Sequence, residues 1–120
     1  KKKFPIHGKG KQLRSFLYVG DFCEGLYKIL TKGKKKEIYN IGSNFEYQNF
    51  EVYKLIAKEN NLNYKKFSRF VKDRPFNDFR YSLDFNKIIK LGWKPKTKIE
   101  DKISEINSWY KENILRFKNR

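Results

Sequence analysis

Side chains that could bind an anion are concentrated in two places of the sequence. Arg14 lies within the β-rich run 12–19, and residues 73–81 read Asp-Arg-Pro-Phe-Asn-Asp-Phe-Arg-Tyr. A guanidinium group binds phosphate oxygens through two parallel hydrogen bonds, so Arg14 and Arg74 are candidates for gripping a phosphorylated ligand. The alternatives are an arginine that projects into solvent and a loop in which Asp and Arg pair with each other.

Two further polar residues have simpler structural explanations. Asn49 precedes a helical pattern, where an asparagine most often serves as the N-cap. His7 is the sole histidine and lies beside Pro5 and Gly8, a setting more typical of a turn than of a general base.

The residue patterns of several catalytic sites are missing from the sequence. None of the eight tyrosines has a lysine four residues later, the pair that a short-chain dehydrogenase needs. The pair Gly8-Lys-Gly10 lacks the third glycine of a dinucleotide loop and precedes a strand instead of following one. No triad, P-loop or metal cluster is present, so we expect neither a catalytic residue nor a metal site.

The composition is that of one basic domain. The 120 residues carry 29 basic and 13 acidic side chains, a net charge of +16, with lysines spread along the chain. Such charge attracts nucleic acid, but AT-rich codon usage explains it equally well, so no nucleic-acid partner is expected. One cysteine, Cys23, cannot form an internal disulfide, and no apolar run could span a bilayer. We therefore expect a cytoplasmic protein without a membrane partner.

Hydrophobic spacing predicts a mixed α/β fold. Strands are expected over 12–19 and 37–41, around a helix that Asp21 and Glu24 open as a capping box and Gly33 ends. Asn49 would cap a second helix, followed by an extended segment over 65–72 and an ordered loop over 73–81. Asp84 would cap a short helix that ends at Gly92, and Thr97 with Glu100 would open a long final helix.

Four segments together resemble a known family. They are Pro5-Ile-His-Gly-Lys-Gly-Lys-Gln-Leu-Arg14-Ser-Phe-Leu-Tyr-Val19, Ile38-Tyr-Asn-Ile-Gly42, Asp73-Arg-Pro-Phe-Asn-Asp-Phe-Arg-Tyr81 and Leu91-Gly-Trp-Lys-Pro95. In this order and at these spacings they resemble the dTDP-glucose 4,6-dehydratases, over nearly all of the chain. The pair Phe76-Asn77 is similar to UDP-glucose 4,6-dehydratases, whereas bacterial dTDP-glucose enzymes usually have Gly-His there.

The resemblance implies an extended short-chain dehydrogenase/reductase. Residues 1–120 would form its C-terminal sugar-nucleotide-binding domain, with the last strand and helix of the Rossmann part. NAD would be bound by an N-terminal Rossmann domain that this chain does not contain, and the chain alone would be inactive. The implied reaction oxidises C4 of the glucose with NAD, removes water across C5 and C6, and returns the hydride to C6.

The resemblance also assigns roles by position. Arg14 matches the arginine that grips the substrate diphosphate, Asn49 matches an asparagine of the substrate site, and the segment lining the base is Pro5, Ile6, His7 and Gly8. The nucleotide-binding loop is Asp73, Arg74, Pro75, Phe76 and Asn77. We expect Arg14 and Arg74 to converge on one diphosphate, since the loop has too little apolar content to hold its shape without an anchoring partner.

The partners implied are a nucleotide sugar, dTDP-glucose or UDP-glucose, and a second copy of the full-length enzyme in a homodimer. The sequence leaves other functions open. These are the corresponding lobe of a related sugar-nucleotide epimerase or decarboxylase, a basic nucleic-acid-binding module, and a structural remnant without activity.

Overall fold

The computed structural model describes residues 3–117, in which short strands alternate with helices. The elements are β1 (Phe4–His7), β2 (Leu13–Ser15), α1 (Val19–Lys32), β3 (Glu46–Gln48), α2 (Asn49–Glu59), α3 (Tyr64–Phe67), β4 (Ser68–Val71), α4 (Asn86–Ile89), α5 (Ile99–Glu112) and a closing 3₁₀ turn, Ile114–Phe117. The predicted mixed α/β class is confirmed.

The strands form two separate pairs. β1 runs parallel to β4, with Phe4 opposite Ser68 and His7 opposite Val71. β2 runs antiparallel to β3, with Arg14 opposite Tyr47. Both pairs join segments far apart in sequence, so the loops that follow β1 and β4 lie next to each other at one end of the fold.

A small core holds the helices to one another. The buried apolar side chains among the described residues are Ile6, Ala57, Ile88 and Trp93. Gly25 of α1 allows this packing, because a Cβ there would lie 3.1 Å from Ile41 Cγ2 and 3.2 Å from Trp93 Cε2.

Asp21, in the first turn of α1, binds a segment that lies more than 70 residues later. Its buried carboxylate accepts hydrogen bonds from Lys96 N at 2.8 Å, Thr97 N at 2.8 Å and Thr97 Oγ1 at 2.9 Å, and Trp93 Nε1 donates to Asp21 O at 2.9 Å. Burial alone would raise the pKa of Asp21, but these hydrogen bonds outweigh it and lower the pKa. Asp21 therefore fixes the start of α1 to the segment before α5.

The predicted capping boxes at Asp21 and at Thr97 are both wrong. The N-cap of α1 is Tyr18, and α5 is preceded by Lys98, whose backbone N–H donates to Asp101 Oδ2 at 2.9 Å. The side chains predicted as caps bind each other instead. The predicted cap of the short helix is also wrong, since its N-cap is Phe85, although Asp84 Oδ1 accepts a hydrogen bond from Asn86 N at 2.8 Å.

Two predicted strands also differ from the structure. The strand predicted over 12–19 is limited to Leu13–Ser15, and Val19 already belongs to α1. Residues 37–41 contain no strand, because among the described residues no other segment lies alongside to form a ladder with them. The segment predicted as extended over 65–72 begins with the turn α3 and only then continues as β4.

Helix α1 exposes an apolar face. Val19, Phe22, Leu26 and Leu30 follow one another at helical spacing, and Val19 is 65% and Leu30 84% exposed. Ile38, in the segment that was predicted as a strand, is 83% exposed. We refer to these five residues as the outer apolar face. Among residues 3–117, no helix has the length and apolar character needed to cross a bilayer.

Candidate functional site

The candidate site is a cavity of about 540 Å³ beside β1 and α2. Six of the predicted site residues line it: Pro5, Ile6, His7, Asn49, Arg74 and Asn77. The others are mostly apolar or aromatic: Phe4, Gly10, Phe16, Val52, Tyr53, Ile56, Leu62 and Phe67. An apolar wall with a few polar groups at one end is typical of a pocket for a small organic ligand.

The turn after β1 brings that strand close to the predicted loop. Gly8 has φ of 59°, and its N–H donates to Val71 O at 3.0 Å. A Cβ at Gly8 would lie 2.6 Å from Asp73 Oδ2, so only glycine allows both this backbone conformation and the approach of Asp73. Gly8 therefore supports the site through backbone geometry.

Asp73 organises the loop. Its carboxylate accepts hydrogen bonds from Gln12 Nε2 at 2.6 Å, Arg74 N at 2.9 Å and Asn77 Nδ2 at 2.8 Å. These bonds, first the one from Asn77, hold the pKa of Asp73 below its ordinary value. Because Asp73 accepts from Gln12 and Asn77, it does not neutralise an arginine side chain.

The two predicted arginines meet at one oxygen. Arg14 Nη2 lies 3.3 Å from Asn77 Oδ1, and Arg74 Nη2 lies 3.1 Å from the same atom. Arg14 also donates to Leu13 O at 2.6 Å and to Asp78 O at 3.1 Å, and its guanidinium lies 4.7 Å from the centre of the Tyr81 ring. Residues from β2 and from the loop are thereby brought into one cluster of positive charge.

Backbone and ion-pair contacts hold the loop over 73–81 in place. Arg80 binds Glu46 of β3 through two bonds of 2.7 Å, and Leu13 N donates to Phe79 O at 2.8 Å. The loop was expected to need an anchoring partner, and in the structure the β2–β3 pair provides these anchoring contacts. The prediction of an ordered loop is confirmed.

Not all of the predicted site residues reach the cavity. Pro75 and Phe76 form the exposed tip of the loop, and the Phe76 side chain is fully exposed, with a backbone φ of 55°. Arg14, Gly8 and Asp73 are not among the residues that line the cavity, although Arg14 and Gly8 contact the loop. Asn49 is the first residue of α2 and not its N-cap, which is Gln48. The Asn49 N–H instead donates to Gln12 O at 3.1 Å.

The sequence reasoning missed Gln12 and the aromatic wall. Gln12 is 7% exposed, and it bonds Asp73 through its side chain and Asn49 through its backbone carbonyl. The Phe4 ring stacks on Tyr53 of α2 with centroids 5.1 Å apart. Nothing in the sequence indicated a role for Gln12, which lies between Lys11 and Leu13, because its burial is evident only in the folded structure.

The arrangement of the two arginines can bind an anion. Among residues 3–117, neither Arg14 nor Arg74 forms a salt bridge with a carboxylate. The same residues contain no group of His, Cys, Asp or Glu side chains that could hold a metal ion. The positive charges of the two guanidinium groups are therefore not neutralised by a carboxylate and can attract an anionic ligand.

Comparison with known proteins agrees with the motifs. A mouse dTDP-D-glucose 4,6-dehydratase is 43% identical over 123 residues, covering 98% of this chain and 35% of the mouse protein. A trifunctional UDP-glucose 4,6-dehydratase of Arabidopsis thaliana is 41% identical over 109 residues, covering 91% of this chain and 16% of that protein.

Solved structures show the same fold. The dTDP-glucose 4,6-dehydratase of Streptomyces venezuelae, crystallised with NAD bound, superposes with a TM-score of 0.84 at 33% identity, covering 93% of this chain and 35% of that one. The chain thus spans about a third of the length of the mouse and Streptomyces relatives.

The resemblance to the dTDP-glucose 4,6-dehydratases that was inferred from the motifs is confirmed by these matches. Residues 1–106 also match the family model described as GDP-mannose 4,6 dehydratase. The chain therefore belongs to the GDP-mannose 4,6 dehydratase family.

Proposed function

We propose that this chain is the substrate-binding part of an NAD-dependent nucleoside-diphosphate-glucose 4,6-dehydratase. The observation that carries the proposal is that Arg14 and Arg74 both donate to Oδ1 of Asn77. Arg14 lies 63 positions from Asn77 in the sequence, and Arg74 lies 3 positions from it. Two guanidinium groups without carboxylate partners suit the two negative charges of a diphosphate, because charge-assisted bonds to phosphate are the strongest that a protein side chain makes.

Each predicted site residue receives a role in this proposal. Arg14 and Arg74 bind the diphosphate, and Asn49 binds the sugar side of the substrate. The base lies along Pro5, Ile6, His7 and Gly8, where the exposed His7 ring gives a flat surface. Asp73, Pro75, Phe76 and Asn77 form the loop that closes over the nucleotide. In its support, six of these residues line one cavity.

We propose that NAD is not bound by the described residues. The turn at Gly8 and Gly10 contacts Asp73 and Phe50, and it does not open a helix as a dinucleotide loop does. We therefore place NAD on a separate domain, together with the residues that transfer the hydride and remove water. The 120-residue chain alone is then expected to be inactive.

The substrate is expected to carry a pyrimidine base. The mouse and Streptomyces relatives are named for dTDP-glucose and the Arabidopsis relative for UDP-glucose, and we favour dTDP-glucose. We further propose that the full-length enzyme is a cytoplasmic homodimer that binds a nucleotide sugar and no nucleic acid.

A pair of titrations tests the proposal on the full-length protein. dTDP and NAD are each titrated into the wild type, Arg14→Lys and Arg74→Lys, with UDP as a second nucleotide. Lysine keeps the positive charge but cannot make the two parallel hydrogen bonds of a guanidinium group. Each variant should therefore weaken dTDP binding by about 1 to 3 kcal/mol while NAD binding barely changes.

Arg69→Lys is the matched control, since Arg69 lies exposed on β4 outside the cavity lining. Unchanged nucleotide affinity in Arg14→Lys and Arg74→Lys would place the site elsewhere. Equal losses for dTDP and NAD would indicate a folding defect and would also count against the proposal. Tighter binding of UDP than of dTDP would reassign the base.

A further inference from the structure

Asn77 separates two positive groups that would otherwise face each other. Its Oδ1 accepts from both Arg14 Nη2 and Arg74 Nη2, while its Nδ2 donates to Asp73 Oδ1 at 2.8 Å. One amide thus uses its oxygen for two cations and its nitrogen for a carboxylate. The oxygen of Asn77 therefore interacts with positive groups and its nitrogen with a negative one.

The oxygen of Asn77 is a weak partner for two cations. A carbonyl oxygen carries a partial charge, whereas an oxygen of a bound diphosphate carries formal negative charge and makes shorter and stronger hydrogen bonds. The two distances, 3.3 Å and 3.1 Å, are longer than the usual charge-assisted bond. Exchange of this oxygen for an anionic one would therefore be favourable.

We propose that Asn77 is a positioning residue whose side-chain oxygen lies where an oxygen of the bound ligand would contact Arg14 and Arg74. It holds the two guanidinium groups together until an oxyanion replaces it. This inference rests on the proposed function, because it assumes that Arg14 and Arg74 bind the diphosphate of a nucleotide sugar.

The other end of Asn77 shows how the exchange can occur without loss of the loop. Asp73 is fixed independently by Gln12 Nε2 at 2.6 Å and by Arg74 N at 2.9 Å. The planar amide of Asn77 can thus rotate away as one unit, giving up its bond to Asp73 as well, while the other two bonds keep Asp73 in place. The site is then already arranged for its ligand, and the cost is the displacement of one neutral group.

The test measures binding of inorganic phosphate and inorganic diphosphate to the full-length protein with Asn77→Ala. If Asn77 occupies the ligand position, its removal frees that position. The variant should unfold at a lower temperature than the wild type without ligand, and it should bind inorganic phosphate at least threefold more tightly. Asn44→Ala, at an exposed asparagine outside the loop, should change neither quantity.

A different outcome separates this inference from the proposed function. If Asn77→Ala binds phosphate equally or more weakly, while Arg14→Lys and Arg74→Lys still weaken diphosphate binding, Asn77 is an ordinary ligand contact and only the present inference fails. If the arginine variants bind diphosphate as well as the wild type does, the proposed function fails as well.

A second measurement is made by NMR on the wild-type protein, and it needs variants only to assign the resonances. The side-chain amide resonances of Asn77 in the wild type should shift when inorganic diphosphate saturates the site, because the oxygen loses two cationic partners. Unchanged resonances at saturation would overturn the inference, even if Asn77→Ala failed to fold.

Discussion

Phe76 has a backbone conformation that disfavours its own side chain. Its φ of 55° lies in the left-handed region, where the Cβ of a bulky residue meets the neighbouring carbonyl, and its ring is fully exposed. The strain is tolerated because the residues on both sides are fixed, Arg74 and Asn77 by hydrogen bonds to Asp73. The ring itself adds no packing to the loop.

Glycine should therefore be a more stabilising replacement for Phe76 than alanine. Phe76→Gly removes the strain and loses no contact, so it should be more stable than Phe76→Ala by about 0.5 to 1 kcal/mol, since alanine keeps the Cβ. The measurement is chemical denaturation of both variants. Equal stability of the two, or a less stable glycine variant, would show that the Cβ is not the source of the strain.

The sequence predicted which residue types belong to the site, but it did not predict the contacts between them. Arg14 and Arg74 were identified from residue type and family resemblance, and the structure places both at Asn77. The roles of Gln12 and Phe4 were missed because they depend on burial and stacking across the fold. Such contacts join distant segments, and no local pattern encodes them.

At the scale of elements, the contact between α1 and the start of α5 depends on one carboxylate. Asp21→Ala would leave the backbone N–H groups of Lys96 and Thr97 without their acceptor. We expect a loss of about 3 kcal/mol in the free energy of unfolding, measured by denaturation. Glu24→Ala, which breaks the exposed pair with Lys96, is the control and should cost under about 1 kcal/mol.

The contribution of Asp21 should also depend on pH. Hydrogen bonding lowers the pKa of Asp21 in the folded protein. The stabilisation is therefore fully present above the pKa of the unfolded chain and is lost as the pH falls through the folded value. The stability difference between wild type and Asp21→Ala should shrink only in this acidic range. A difference that shrinks at neutral pH would contradict the assignment.

The helices were predicted better than the strands, for a physical reason. The spacing of apolar residues identified the helices near 21–33, 49–59 and 99–112, because helical hydrogen bonds are local. Residues 37–41 have strand-forming composition, yet they form no strand because a ladder requires a partner. β1 was not predicted, because it forms a strand only by pairing with β4, which lies more than 60 residues away.

At the scale of the whole molecule, the outer apolar face and the unpaired segment 37–41 lie close in sequence and have one explanation. We expect both to pack against the separate NAD-binding domain that we propose, where Ile38 would join a sheet and Leu26 and Leu30 would cover it. An isolated monomer rarely exposes a continuous apolar stripe of this kind.

The 120-residue chain on its own should therefore self-associate. Light scattering over a range of concentrations should detect oligomers, and Leu26→Glu combined with Leu30→Glu should reduce them. Ser104→Glu adds charge at an exposed position of α5 that is not one of the five residues of the outer apolar face, and it serves as the control. A chain that stays monomeric at every concentration, or one that the double substitution leaves unchanged, would count against the explanation.

The parallel pairing of β1 with β4 has a consequence for biosynthesis. His7 pairs with Val71, so 64 residues must be translated after β1 before its partner is complete. At about 5 to 20 residues per second, the ribosome needs roughly 3 to 13 s for this interval. During that time β1 has no strand beside it, so the small sheet can form only late in synthesis, and the nascent chain must be kept from aggregation until then.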